Sequence, residues 1–249
     1  MRKLFYLAVY LFGAKGLIAQ ETVNGTSAFR RPKISEGEGA VFLQAGLPSK
    51  DMKELTRNNM FGDGFGASVL YVSNPAAWGR NNSNSPIRIG GELGYTYYGR
   101  FITEVDINGE KGDFKTSYGI AHLNAVLRFR HPEVVPVVPF FDLFAGGNFY
   151  LSTVKENLDA IESSLGLPGF NFGGTSSASF VKGVAAGLTI GSENTDQARF
   201  TLRVSYTRGR SLQYIVRNSL AYDANYNSLT YMVGKAPVEY ILVQFGIGL

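Results

Sequence analysis

The stretch PFFDLFAGGNFYLS, Pro139 to Ser152, holds too much Phe and Leu for a surface loop, yet an acid and an amide interrupt it. Every second residue separates two rows. Phe141, Leu143, Ala145, Gly147, Phe149 and Leu151 form a continuously apolar one, and Phe140, Asp142, Phe144, Gly146, Asn148 and Tyr150 a mixed one. A two-residue period is that of a β-strand whose two faces meet different surroundings. A strand that is greasy outside and mixed inside fits a wall with lipid on one side.

The same alternation returns in EGAVFLQAGL (Glu38 to Leu47), GDGFGASVLYVS (Gly62 to Ser73), IRIGGELGYTYY (Ile87 to Tyr98) and TSYGIAHLNAVLRF (Thr116 to Phe129). It continues, after the opening stretch, in FVKGVAAGLTIG (Phe180 to Gly191), ARFTLRVSYTR (Ala198 to Arg208) and VEYILVQFGIGL (Val238 to Leu249). Each segment has about the 9 to 11 residues, or slightly more, with which a tilted strand crosses a bilayer. The expected fold is therefore all-β, an eight-stranded antiparallel up-and-down transmembrane barrel over residues 38–249, with long extracellular loops.

On the apolar rows, Tyr97, Phe149, Phe180 and Tyr206 fall at one end of the up-and-down order, and Tyr71, Phe129, Phe141, Phe200 and Phe245 at the other. Two rings of aromatic side chains with Leu, Val, Ala and Gly between them match the girdles at the two membrane interfaces. The connections also alternate. Pro48 to Phe61, Gly99 to Lys115, Thr153 to Ser179 and Gly209 to Pro237 read as long loops, while His131 to Pro136 and Ser192 to Gln197 read as short turns. Asn74 to Pro86 departs from that pattern by its length.

A barrel of eight strands is too narrow for a water channel and is filled by side chains. The mixed rows supply Gln44, Arg88, Glu92, His122, Asn124, Arg128, Asp142, Asn148, Arg203 and Gln244 as its contents. Unpaired charges there are costly, so Arg88, Arg128 and Arg203 are expected to pair with Glu92 and Asp142. Lys182 resists the scheme, since it shares a row with Phe180 and Val184; either it snorkels from the outer interface or a bulge shifts the register.

The first residues, MRKLFYLAVYLFGAKGLIAQ, have a basic start at Arg2 and Lys3, an apolar run from Leu4 to Phe12 and small residues up to Ala19. This is the layout of a secretory signal peptide, 1–19, cut after Ala19 or Gln20 and followed by an N-terminal extension, 20–37. Losing Arg2, Lys3 and Lys15 with the leader takes the formal charge of +4 to +1, which gives no support to nucleic-acid binding. The chain has no cysteine, which excludes disulfides, thiolate metal sites and a cysteine nucleophile.

With its leader ending in IAQ, PFFDLFAGGNFY followed by a loop and KGVAAGLTIG, and the last strand EYILVQFGIGL, the chain resembles the Bacteroidota-type outer-membrane β-barrel family. These are small eight-stranded proteins similar to the membrane domain of outer-membrane protein A. The resemblance covers residues 20–249 and implies residence in the outer membrane, with outer-membrane lipid and the barrel-assembly machinery as partners and other envelope proteins as further candidates. The alternating Ile241, Val243, Phe245, Ile247 and Leu249 look like the signal that machinery reads, with Leu at the end where many members carry Phe. The resemblance also implies a chain that stops at its last strand, without a peptidoglycan-binding domain.

Residues that would carry chemistry are few. Of the two histidines, His122 lies on the interior row beside Asn124, and His131 reads as a turn residue. A barrel-embedded lipid-modifying hydrolase built on His122 would need a positioned Ser and acid near the lipid interface; a hydrogen-bonded interior histidine is the plainer reading. Two histidines fall short of a histidine-based metal site. The glycine-rich GDGFG and GFNFGG lack the lysine and the strand-to-helix setting of a phosphate loop. In the third long connection Glu156, Asp159 and Glu162 read as a solvated helix face in preference to a calcium site, and Leu158, Ile161, Leu165 and Leu167 as an apolar stripe that caps the barrel mouth or, as the second reading, docks on a partner. No catalytic, metal or cofactor site is expected. The function expected is that of a non-enzymatic structural or adhesive barrel, or of a subunit of an envelope assembly. A soluble lipocalin-like ligand-binding barrel is a third reading, which the double aromatic ring disfavours.

Overall fold

The structure is a computed structural model and describes residues 37–55, 63–78, 85–107, 110–131, 137–156, 171–191, 199–223 and 228–248. The leader, most of the N-terminal extension, the stripe from Leu158 to Leu167 and Leu249 lie outside them. Ten strands are described: β1 Gly37–Pro48, β2 Gly64–Ser73, β3 Ile87–Ile107, β4 Glu110–Arg130, β5 Val137–Glu156, β6 Asn171–Ile190, β7 Phe200–Ile215, β8 Ala221–Asp223, β9 Ser228–Thr230 and β10 Val233–Gly248. One short helix, α1 (Lys50–Leu55), follows β1. β1 to β7 and β10 form a closed antiparallel barrel in which every strand pairs with its chain neighbours and β10 closes on β1. β8 and β9 form a separate two-stranded sheet within the connection from β7 to β10.

Each of the eight alternating segments corresponds to one barrel strand, and its two rows part as the period requires. In β5, Asp142, Phe144, Asn148 and Tyr150 are buried, while Leu143, Phe149 and Leu151 are exposed. The exposed row is unusually apolar, with Leu43, Leu93 and Phe180 at 58%, 61% and 63% exposure.

The strands differ from expectation in height. β3 and β4 run for 21 residues and β5 and β6 for 20, against 12 for β1 and 10 for β2. Much of what reads as loop from Gly99 to Lys115 and from Thr153 to Ser179 is ladder, paired from Gly99↔Tyr118 to Ile107↔Glu110 and from Thr153↔Gly174 to Asn148↔Ser179. Hydrophobic alternation marks only where a strand crosses an apolar medium, whereas backbone pairing continues beyond it. Two bulges mark the change of surroundings. An extra residue in β3 between Tyr97 and Gly99, with Gly99 at φ +101°, reverses which parity of β3 faces inward, and another in β7 opposite Pro237/Glu239 interrupts its alternation, beyond which Leu212 and Ile215 are buried. Above them Phe114, Val154 and Ile215, with Val105 and Leu220, form an apolar cluster against which Tyr222 of β8 and Leu229 of β9 pack. Arg217 stacks its guanidinium 4.1 Å over Phe101 there. On the exposed part of the β3–β4 hairpin Lys111 pairs with Glu104, whose hydrogen bond and charge raise the lysine's pKa.

Between those clusters the interior holds Tyr98, Tyr118, Tyr150 and Tyr240, with Met52 of α1 buried among them. Further toward the short connections Phe42, Leu70, Val72, Val126 and Phe144 form another apolar cluster, interspersed with polar residues, with Leu70 in register with Glu92. β6 makes room for large side chains from its neighbours. A methyl group at Gly183 would sit 2.3 Å from Phe144 Cζ and 2.2 Å from the Tyr206 carbonyl oxygen. Gly183→Ala should therefore overpack the barrel and cost about 1–3 kcal/mol. Gly147→Ala, whose methyl finds its nearest atom at 3.6 Å, should be close to neutral; denaturant unfolding of the two variants checks the contrast.

Candidate functional site

The polar rows of seven strands meet inside the barrel in one network. Asp142 on β5 lies at its centre, completely buried. Its Oδ1 accepts from Arg128 Nε at 2.8 Å, and its Oδ2 accepts from Arg128 Nη2 at 3.0 Å and from Arg203 Nε at 2.9 Å. Arg203 of β7 then extends across the lumen, with Nη1 donating to Glu92 of β3 at 2.9 Å and to Gln244 of β10 at 2.6 Å. Gln244 Nε2 donates onward to Glu92 at 2.8 Å, Ser68 at 3.0 Å and Gln44 at 3.1 Å, and Gln44 donates to Thr96 at 2.8 Å.

Arg203 reaches Asp142 over the intervening β6 because that strand turns only small residues inward at this level. Ala185 is in register with Asp142 and Ser205, and Gly187 with Phe140 and Arg203. The rings of Phe140 and Phe144 occupy the space so released, and Arg128 stacks 3.8 Å over Phe140. The guanidiniums thus have carboxylates at their edges and aromatic faces at their flats, which is how a planar cation is best satisfied away from water.

Arg88 departs from expectation. Its carboxylate neighbour is Glu38, at 3.8 Å, and neither Glu92 nor Asp142. Glu38 also faces Arg128 at 3.5 Å and pairs with Arg130, so it gathers three arginines at the end of the barrel with the short connections. Glu38 and Arg130 were missed by the sequence reading because Glu38 opens its segment and Arg130 lies one residue beyond the end of its own. Parity alone would have found them, since Glu38 is in step with Gln44 and Arg130 with Arg128. Ser68, Thr96 and the interior tyrosines share that inward parity. Among the described residues, three interior carboxylates (Glu38, Glu92 and Asp142) are thus shared by four guanidiniums.

His122 and Asn124 enter the interior without joining the hydrogen-bonded chain. His122 Nε2 lies 3.8 Å from Glu92 Oε1, and neither ring nitrogen has a hydrogen bond. Ser68 is close by, but its hydroxyl donates to Glu92 at 3.3 Å. In a Ser–His–acid relay the hydroxyl bonds the imidazole and the imidazole bonds the acid; here both converge on the acid, and His122 is 1% exposed. Asn148 instead donates to the Tyr240 hydroxyl at 2.8 Å. No group of three or more metal-ligating side chains occurs among the described residues.

The nine aromatic residues of the two rings all lie on the outward parity. Tyr71, Phe149, Phe180, Phe200 and Phe245 are well exposed, Tyr97, Phe129 and Tyr206 are less so, and Phe141 is half-buried. Phe200 and Phe245 stack at 6.0 Å between centroids, and Phe129 is in register with Phe141. Lys182 also faces outward, and the one register shift in the described parts of its two ladders, between Val154 and Lys155, lies opposite Asn171 to Gly173, well away from it, so no bulge accounts for it.

A plugged eight-stranded barrel is what fold and interior define. No family model matches the chain, and no curated protein matches it. Among solved structures it is similar to Neisserial surface protein A at 12% identity and a TM-score of 0.41, covering 86% of this chain and 97% of that one. It is similar to the attachment invasion locus protein of Yersinia pestis, solved with the heparin analogue sucrose octasulfate, at 13% identity and a TM-score of 0.41, covering 86% and 100%. For a major outer membrane protein from Thermus thermophilus the values are 11%, 0.44, 85% and 98%.

Removing the charge of Asp142 leaves two buried guanidiniums short of their shared partner, which is the costly way to break such a pair. Asp142→Asn should lose about 3–5 kcal/mol, read as a lowered urea midpoint for the barrel folded in lipid vesicles.

Proposed function

We propose that this protein is an outer-membrane β-barrel of the Bacteroidota type, exported through a cleaved leader, and that it acts without catalysis as a structural or adhesive element or as a subunit of an envelope assembly. The observation that carries this reading is the inversion of polarity across the barrel wall. The apolar row of every barrel strand faces out around a closed ring, while Asp142, Arg203 and Gln244 are wholly buried inside. A barrel in water would place its apolar row inside; a wall greasy outside and charged within suits a bilayer, where closure satisfies every backbone group. The outward aromatics would then form the two interfacial girdles, and the tall β3–β6 wall with the β8–β9 sheet would stand in the aqueous phase beyond.

Against the lipid-modifying alternative stand the burial of His122 and the hydrogen bond of Ser68 to Glu92. Against the lipocalin-like alternative stands an interior given over to ion pairs and tyrosines. The test is expression with the native leader in a Gram-negative host. The protein should stay with the membrane until detergent is added, migrate faster on gels unheated than heated, and begin at Gln20 or Glu21. Release in soluble form would refute the membrane reading. His122→Ala should leave the mass profile of envelope lipids unchanged, and a changed profile would refute the non-enzymatic one.

A further inference from the structure

Lys182 on β6 and Arg208 on β7 are directly opposite each other in the ladder, both exposed on the outward face. Adjacent strands lie about 4.8 Å apart, so two cations are held side by side, an arrangement that is unfavourable without a counter-charge. Neither has a carboxylate oxygen within 4.0 Å among the described residues. The nearest outward acid by register is Glu239, opposite Arg208 across the next ladder, with its Oε1 accepting from the Tyr206 hydroxyl at 2.6 Å; its single negative charge offsets one of the two cations and leaves the pair with a net positive charge. On β5 the residue in register with Lys182 is Ala145, which brings no charge.

The surroundings say what kind of anion fits. Phe180, Val184 and Tyr206 flank the two cations, and Leu188, Val204 and Leu202 continue the exposed apolar wall below them. A soluble anion would gain nothing from that wall. An anion that carries acyl chains would lay them along it while its head group met the cations.

We propose that Lys182 and Arg208 clamp the phosphate of an anionic lipid in the leaflet around the long-connection end of the barrel. Arg208 offers a planar fork of donors to two phosphate oxygens and Lys182 a flexible point charge. The site rests on the reading of the chain as a membrane barrel, and it explains a lysine that the alternation of β6 alone leaves unaccounted for.

The test uses the full-length barrel in detergent micelles doped with phosphatidic acid or with phosphatidylcholine of the same chains, and counts retained lipid by native mass spectrometry. Wild type should hold phosphatidic acid in preference, and Lys182→Gln with Arg208→Gln should lower that retention about tenfold, the effect of losing one or two charge-assisted contacts. Lys155→Gln with Lys235→Gln, which removes two outward cations elsewhere, should change little. Equal retention by wild type and the first variant overturns the proposal, as does an equal loss in the second, which would mean diffuse attraction. Displacement by excess inorganic phosphate would overturn the choice of a lipid over a free anion. These outcomes stand apart from failure of the parent reading, in which wild type itself would not remain with the membrane; unheated gel mobility shows that each variant is folded.

Discussion

The carboxylate of Asp142 is shared between two guanidiniums, and the arrangement of the barrel follows from satisfying it. Arg128 comes from the strand beside it and Arg203 from two strands away. Arg203 can reach only if β6, between β5 and β7, presents Ala185 and Gly187 inward, and both arginines require β4, β5 and β7 to keep their polar parity toward the axis. A slip of one residue in any of these ladders would turn Asp142 or an arginine outward and leave its partners buried alone. The ion pairs thereby specify register more than they add stability, because the cost of taking their charges out of water cancels much of their attraction.

The same parity sends the opposite row outward. In a strand two residues wide in period, whatever fixes the interior also fixes the exterior, so the charged lumen and the apolar wall are one decision. The interior changes along the axis, from Glu38 and its arginines at one end, through a stretch where Phe42, Leu70 and Phe144 lie among the polar network of Asp142, Glu92 and Arg203, to the tyrosines around Met52. The side chains fill a lumen too narrow for a water channel, and the charged groups meet one another across it, while Tyr98 Oη, Asn124 Oδ1 and both His122 nitrogens have no hydrogen-bond partner among the described residues.

Much of this was legible in the sequence because the period of two is visible wherever one face is continuously apolar. All eight crossings and the inward rows of Arg128, Asp142, Arg203 and Gln244 follow from it. The upper halves of β3 to β6 were not legible, because in GRFITEVDINGEKGDFK the apolar row of Phe101, Val105 and Ile107 is short and, after the bulge at Gly99, runs on the opposite parity from the inward row of β3. The Asn-Gly pair at 108–109 is a hairpin signal that could have suggested continued strands. Partner choice within the lumen was beyond reach for another reason: which carboxylate meets Arg88 depends on the stagger of strands around the ring, and alternation along one strand carries no information about it. The Arg88–Glu38 approach passes over β2, joining residues on β3 and β1.

Closure itself has a kinetic side. β10 meets β1 along a seam that pairs Ala40 with Gly248 and Pro48 with Tyr240, and the amide of Gln244 there donates to Gln44, a residue 200 positions earlier in the chain. Gln244 is also the residue that links Arg203, Glu92 and Ser68. An open sheet of the first seven barrel strands would therefore hold Glu92 and Arg203 with a central partner absent, and no local rearrangement could supply it. Contacts of such high sequence separation form late and slowly. The hydrogen-bonded interior is thus complete only in the closed ring, where the last strand in the chain links residues of β1, β2, β3 and β7.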